Sequence, residues 1–104
     1  MTETILYNRT GNVGCLVLNN PRRHNALGKV QLEAIQARLA EVASDAQVRV
    51  LIVTGAGDKT FCAGAYLNEL SDGRITDDTF QKMTTQLAAL PIPTICAMNG
   101  NVFG

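Results

Sequence analysis

The residues best suited to binding a ligand through their backbone lie in the segment Phe61-Cys62-Ala63-Gly64-Ala65, whose last four side chains are small. Small side chains allow a ligand to approach the backbone closely, and a short helix is predicted to begin next, at Tyr66. Unpaired N–H groups at such a position can bind an anion or a developing oxyanion. The alternative is that this turn only packs against a sheet, and the sequence pattern leaves both possibilities open.

A second glycine-rich segment, Gly55-Ala56-Gly57, follows a predicted strand and could be a phosphate-binding turn. The dinucleotide fingerprint requires a third glycine at the position of Thr60. The Walker A loop fails as well, because Asp58 separates Gly57 from Lys59. An ordinary turn after a buried strand is therefore the preferred interpretation.

A third such segment, residues 99–104, begins with Asn99-Gly100 and ends with Gly104. Ligands of open α/β sheets bind in loops at the carboxyl ends of neighbouring strands, which favours a ligand-binding loop here too. Asn-Gly is also the commonest hairpin signal, so a simple turn is the competing interpretation.

Side-chain chemistry is sparse. The only histidine, His24, lies in a different loop from Cys62, so a catalytic thiol is not expected. No C-x-x-C pair accompanies the three cysteines, and no metal site is predicted. The acidic residues lie in polar loops or at helix starts, where no acid/base pair stands out. Arg22-Arg23 is too short to bind nucleic acid but can contact one phosphate group.

Overall composition excludes several classes of partner. Nine Lys and Arg balance nine Asp and Glu over 104 residues, which argues against a nucleic-acid or membrane-surface protein. No run approaches the ~18 apolar residues of a membrane span. The first residues resemble no targeting signal, so we expect a cytoplasmic, reduced setting.

Hydrophobic periodicity predicts the order β-β-α-β-α-β, which is typical of an α/β architecture. The predicted strands are residues 5–9, 13–19, 48–53 and 94–98, the third of them buried and parallel to a neighbour. The predicted helices are residues 27–44, 66–70 and 76–90. One apolar stripe marks the first helix and comprises Leu32, Ile35, Leu39 and Val42.

Three segments match family motifs in the order in which the family has them. They are residues 20–27 (NPRRHNAL), residues 50–55 followed by 61–65 (VLIVTG, FCAGA), and residues 91–100 (PIPTICAMNG). They resemble, in turn, the [RN]-P-x-x-x-N-A-L segment, the strand and F-x-A-G-x-D-L loop, and the K-P-x-I-A-A-V-N-G strand of the enoyl-CoA hydratase/isomerase (crotonase) superfamily. No single motif is decisive, but their combination is highly specific.

The resemblance implies a crotonase-like spiral of β-β-α units, acyl-CoA thioester substrates and an enolate-like intermediate held by two backbone N–H groups. It assigns one donor to Ala65 and places the second oxyanion loop near Gly100 and Gly104. The residues implied to line the CoA site are Arg22, Arg23, His24, Ala26, Ala63, Gly64, Ala65 and Tyr66. Coenzyme A is part of the substrate, so no separate cofactor is expected. A homotrimer or dimer of trimers is implied for the full-length family member.

Two departures from the family pattern matter. Tyr66 stands where the motif has Asp, which leaves the substrate and the reaction open. The family continues beyond Gly104, where the second donor and the acid/base glutamates would lie. We therefore expect residues 1–104 to be the N-terminal part of a single crotonase-like domain, incomplete at its C-terminus and inactive alone. The alternative is a stand-alone CoA-binding or interaction module without catalysis.

Overall fold

A four-stranded sheet is the centre of the structure, a computed structural model that describes residues 3–104. Strands β1 (Ile5–Thr10) and β2 (Val13–Leu18) form an antiparallel hairpin. Strand β3 (Val50–Gly55) pairs in parallel with β2, and the strand Thr94–Ala97 pairs in parallel with the far side of β3. The predicted hairpin and the predicted parallel strand are therefore confirmed, although β3 begins and ends two residues later than predicted.

Three helices connect these strands. Helix α1 (Lys29–Ser44) crosses from β2 to β3, whereas α2 (Leu67–Ser71) and α3 (Asp77–Ala88) follow β3. The predicted apolar stripe of α1 is confirmed, because its four residues are all at most 4% exposed. Helix α1 begins at Lys29 rather than at the predicted Leu27, since Leu27 pairs with Ala65 instead.

A second, two-stranded parallel sheet was not predicted. It joins β4 (Thr60–Cys62) to β6 (Asn101–Val102), so the edge strand Thr94–Ala97 of the main sheet is β5. Strands of three and two residues are too short to show periodicity, and only their pairing defines them. The sequence analysis predicted loops at both positions.

The core lies between the main sheet and α1. Leu32 and Leu51 have no exposed surface, and Leu39 is 1% exposed. Truncating such a side chain to alanine typically costs about 2–5 kcal/mol of unfolding free energy. Every residue of β5, by contrast, is exposed, and Phe103 just after β6 is 59% exposed. The buried apolar side chains of β1, β2, α1 and β3 thus stabilise the part of the molecule to which the loops are attached.

Candidate functional site

The loop before α1 is closed on itself by the buried side chain of Asn25. His24 and Asn25 are consecutive residues with positive φ, 54° and 56°, a conformation that asparagine tolerates better than most residues. The Asn20 N–H donates to Asn25 Oδ1 at 2.8 Å, and the Asn25 N–H donates to the Asn20 carbonyl at 2.8 Å. This closure turns Arg22 and Arg23 outward, where both are exposed.

The same Asn25 side chain reaches a second segment, the Gly55 turn, which we define as residues 55–60. Its Nδ2 donates to the Ala56 carbonyl at 3.1 Å and to the Thr60 carbonyl at 2.9 Å. Asn25 is 1% exposed, so each of its polar atoms depends on these partners.

Asn99, two residues after β5, holds the Gly55 turn from the other side. Its Oδ1 accepts from the Gly55 N–H at 3.1 Å, and its Nδ2 donates to the carbonyls of Gly57 at 2.9 Å and Thr60 at 3.2 Å. One N–H and three carbonyls of the Gly55 turn are thus bound by two asparagines, which hold the turn in place. The turn interpretation of this segment agrees with that arrangement.

Ala65 lies in an extended segment beside Leu27. The Leu27 N–H donates to the Gly64 carbonyl at 2.7 Å, and the Tyr66 N–H donates to the Leu27 carbonyl at 3.0 Å. Because polar groups alternate in direction along an extended chain, the N–H of Ala65 faces away from Leu27. Within residues 3–104 it has no hydrogen-bond partner.

The Ala65 loop, defined as residues 62–66, contacts the end of the chain. The Phe103 N–H donates to the Cys62 carbonyl at 2.9 Å. Gly64 has φ +87°, and a Cβ there would lie 3.0 Å from the Phe103 carbonyl oxygen and 3.3 Å from Gly104 Cα. The two loops that the family resemblance associates with the oxyanion are therefore in backbone contact.

A shallow groove of about 390 Å³ runs past Ala65. Its lining residues are Arg22, Arg23, Ala26, Ala63, Ala65, Tyr66, Leu67 and Asn68. Six of the eight residues predicted to line a CoA site are thus brought together. Gly64 does not line the groove, and the His24 side chain lines a separate pocket of about 180 Å³ beside the Gly55 turn. Among residues 3–104, no carboxylate or imidazole lines the groove.

Tyr66 forms one wall of this groove and is itself 8% exposed. The Arg23 guanidinium carbon lies 3.8 Å from the centre of the Tyr66 ring. Asn20 Nδ2 donates to the Tyr66 hydroxyl at 2.7 Å. A tyrosine in place of the motif's aspartate therefore supplies a platform for a cation.

Gly100 serves the fold of this region. A Cβ at Gly100 would lie 2.8 Å from the Thr60 nitrogen and would also overlap the Lys59 carbonyl. Only glycine allows β5 to continue into β6 this close to β4. Gly100 therefore positions the second loop.

The thiol of Cys62, the first residue of the Ala65 loop, is buried. Burial raises its pKa, whereas the hydrogen bond from the Gly64 N–H, at 3.4 Å from Sγ, acts in the opposite direction. Since the thiolate is the reactive form of cysteine, a raised pKa disfavours nucleophilic chemistry at this sulfur.

Behind Cys62 lies an apolar cavity of about 330 Å³ between the main sheet, α1, α3 and β6. Met83, Leu87 and Phe103 are among its lining residues.

Across residues 3–104 there is no group of three or more His, Cys, Asp or Glu side chains arranged to hold a metal ion. No helix formed by these residues is long and apolar enough to cross a membrane.

The structure therefore combines a mixed α/β sheet with two adjoining backbone loops, one of which presents an N–H that is unpaired among the described residues. Residues 8–104 match the family model for enoyl-CoA hydratase/isomerase. The chain therefore belongs to the enoyl-CoA hydratase/isomerase family, within the crotonase superfamily.

Individual relatives agree with this assignment. The chain is 35% identical to the crotonyl-CoA hydratase of Syntrophomonas wolfei, over 98% of this chain and 41% of that protein. It is 31% identical to the short-chain-enoyl-CoA hydratase of Clostridium acetobutylicum, over 98% of this chain and 41% of the relative. The crystal structure of an enoyl-CoA hydratase from Bacillus anthracis superimposes with a TM-score of 0.84 at 33% identity, covering 94% of this chain and 40% of that one. The crotonase-like fold is thereby confirmed, and the chain spans about 40% of the length of these relatives.

Sequence reasoning missed the structural roles of Asn25 and Asn99. Both residues belong to the family motifs quoted above, but the motifs assign no structural role to them. Their neighbours gave a usable signal, because asparagine beside glycine or in a polar loop is suited to left-handed and turn conformations. The partners that they bind could not be inferred, since Asn25 and Thr60 are 35 residues apart.

Proposed function

We propose that this chain binds acyl-CoA thioesters and polarises the thioester carbonyl with the N–H of Ala65. One observation carries the proposal: this N–H is unpaired within residues 3–104 and belongs to a residue lining the groove. Withdrawing electrons from the thioester oxygen stabilises an enolate, the intermediate common to hydration and double-bond isomerisation. A pre-aimed donor of this kind contributes about 3–4 kcal/mol to lowering a barrier.

The backbone contact between Gly64 and Gly104 supports placing both donors of the oxyanion pair at this edge of the molecule. A second N–H in the loop near Gly104 would share the negative charge with Ala65. The Gly64 conformation, with φ +87°, directs the following peptide unit, whose N–H belongs to Ala65.

Proton transfer needs groups other than those in the groove. General acid/base catalysis requires a titratable side chain within hydrogen-bond reach of the substrate. No carboxylate or imidazole in the described range lines the groove. We therefore expect residues 3–104 to bind and polarise without turnover, which leaves a binding module derived from the same fold as the second candidate function.

Three free cysteines suit a reducing compartment such as the cytoplasm. For the whole protein we propose a homotrimer or a dimer of trimers acting on small-molecule acyl-CoA, without nucleic-acid or membrane partners. Sedimentation velocity measures that assembly directly, and a monomer of the whole protein would contradict it.

Calorimetry with two ligands tests the role of Ala65 without altering the protein. Crotonyl-CoA has the thioester oxygen, whereas S-butyl-CoA, a thioether, lacks it and retains the nucleotide. One net hydrogen bond of about 0.5–1.5 kcal/mol predicts a roughly 2- to 12-fold tighter thioester complex. Equal affinities would contradict a hydrogen bond from Ala65. Hydration of crotonyl-CoA by the 104-residue chain would contradict binding without turnover.

A further inference from the structure

We propose that Tyr66 is a positioning residue that holds the Arg23 guanidinium at the groove to bind a phosphate group of the CoA ligand. The inference rests on the proposed function and adds to it a part of the substrate, the phosphorylated nucleotide end. Three independent features of the structure carry it: the stacking geometry, the charge balance of the groove and the chemistry of position 66.

The Tyr66 ring is a fixed platform. It is 8% exposed, its hydroxyl accepts a hydrogen bond from Asn20, and its backbone N–H is bound to the Leu27 carbonyl. Arg23 lies over this ring at 3.8 Å from guanidinium carbon to ring centre. Arginine loses much rotamer entropy when it is ordered, so prior stacking lowers the cost of ligand binding.

The groove is positively charged. Arg22 and Arg23 both line it, and no acidic side chain of the described residues does. Of the ion pairs and side-chain hydrogen bonds within residues 3–104, none involves either arginine side chain. A guanidinium stacked by its face keeps its in-plane N–H groups available, and these match two phosphate oxygens.

The residue type at position 66 determines whether this charge is kept. An aspartate there, as in the family motif, would place a carboxylate beside Arg23 and neutralise it. Tyrosine attracts the cation through its ring and adds no charge at neutral pH. Tyr66 in place of the motif's aspartate thus keeps the positive charge of Arg23 available for a negatively charged group of the ligand.

Two partial ligands separate the phosphate end from the thioester end. Adenosine 3′,5′-bisphosphate carries phosphates and no thioester, and S-crotonyl-pantetheine carries the thioester and no phosphate. We expect Tyr66→Leu and Arg23→Ala each to weaken binding of the bisphosphate about 3- to 10-fold. Arg23→Ala should bind S-crotonyl-pantetheine within about twofold of wild type, because the thioester contacts do not use Arg23. Tyr66→Leu also changes a wall of the groove, and it should lose more affinity for the bisphosphate than for S-crotonyl-pantetheine.

Conservative variants keep the test independent of folding. Tyr66→Phe retains the ring and should retain bisphosphate affinity within about twofold, whereas Arg23→Lys retains the charge but not the planar stack and should lose affinity. Arg49→Ala removes an exposed arginine that does not line the groove and serves as the charge control.

Equal losses for both ligands in Tyr66→Leu would show a merely structural role and overturn the proposal. It is also overturned if wild type does not bind the bisphosphate, or if Arg23→Ala binds it as wild type does. Binding of the bisphosphate with the expected variant pattern, but no binding of S-crotonyl-pantetheine, would instead support the phosphate site and contradict the proposed thioester function.

Discussion

The Gly55 turn and the Ala65 loop are adjacent along the chain, yet they use their backbone groups differently. In the Gly55 turn, Asn25 and Asn99 bind the N–H of Gly55 and the carbonyls of three residues. In the Ala65 loop, one edge pairs with Leu27 and the other edge leaves an N–H unpaired. Glycine content alone does not distinguish the two segments.

What separates them is that asparagine side chains hold the Gly55 turn, whereas backbone bonds to Leu27 and Phe103 hold the Ala65 loop. The N–H of Ala65 belongs to a half-buried residue that lines an open groove, so a ligand can reach it. The asparagines bind one N–H and three carbonyls of the Gly55 turn, a structural role that agrees with its failure to match either phosphate-binding motif. The Ala65 loop can present a donor because the Gly55 turn and Leu27 hold its flanks.

The largest expected effect comes from removing the side chain that holds the Gly55 turn. Asn25→Ala leaves the Asn20 N–H and two carbonyls without this partner and puts alanine at φ 56°. We expect a loss of about 3–5 kcal/mol of unfolding free energy, measured by urea denaturation. Asn8→Ala, at an exposed position of β1, is the matched control and should change stability by less than about 0.5 kcal/mol. A similar small change for both variants would show that the asparagine does not hold the turn.

A medium effect is expected from Gly64→Ala in the Ala65 loop. The new methyl group must adopt φ +87° and lie 3.0 Å from the Phe103 carbonyl oxygen. Gly73→Ala is its matched control, because Gly73 has φ +82° and nothing within 4 Å of the added Cβ. Both variants carry a conformational cost of about 1–2 kcal/mol, and Gly64→Ala should lose more in urea denaturation. Identical losses would show that the contact between the two loops imposes no constraint.

The smallest effect concerns pH. Burial raises the pKa of the Cys62 thiol above its ordinary 9.0, so the unfolded chain releases this proton before the folded chain does. Stability should therefore be retained below pH 9 and fall as the pH rises above it. Measurements between about pH 8 and about pH 9.5 avoid most of the titration of Tyr7, whose pKa burial also raises from 10.0.

Cys62→Ala should flatten this decline in stability with pH, whereas Cys15→Ala, at a half-buried position of β2, should preserve it because Cys62 is still present. Denaturation midpoints at each pH give the slope for the three proteins. An unchanged slope in Cys62→Ala would assign the decline to other groups.

The elements that the sequence predicted are those whose information is local. The stripe of α1 repeats every three or four residues, and the apolar run of β3 is continuous, so each can be recognised without its partner. Strands β4 and β6 become strands only by pairing across about 40 residues, and the Asn99 bond to Gly55 spans 44. Such long-range pairings leave no periodic trace in the sequence.

For the site, the backbone loops were identifiable and the stacking partner was not. The small residues of 62–65 indicated a backbone site, and family motifs supplied the residue Ala65. Nothing in the sequence spacing predicts that Arg23 lies over the ring of Tyr66, 43 residues further on, because the closed loop around Asn25 determines where Arg23 is placed.

Amide chemical shifts test most directly the claim that the Ala65 loop, and not the Gly55 turn, binds the ligand. ¹⁵N-labelled chain would be titrated with acetoacetyl-CoA, a thioester whose acidic α-carbon favours the enolate. We expect the Ala65 amide proton to move downfield as its N–H gains a charged acceptor, while the Gly55 amide, already bound to Asn99, stays in place. A shift at Gly55 with none at Ala65 would contradict the account.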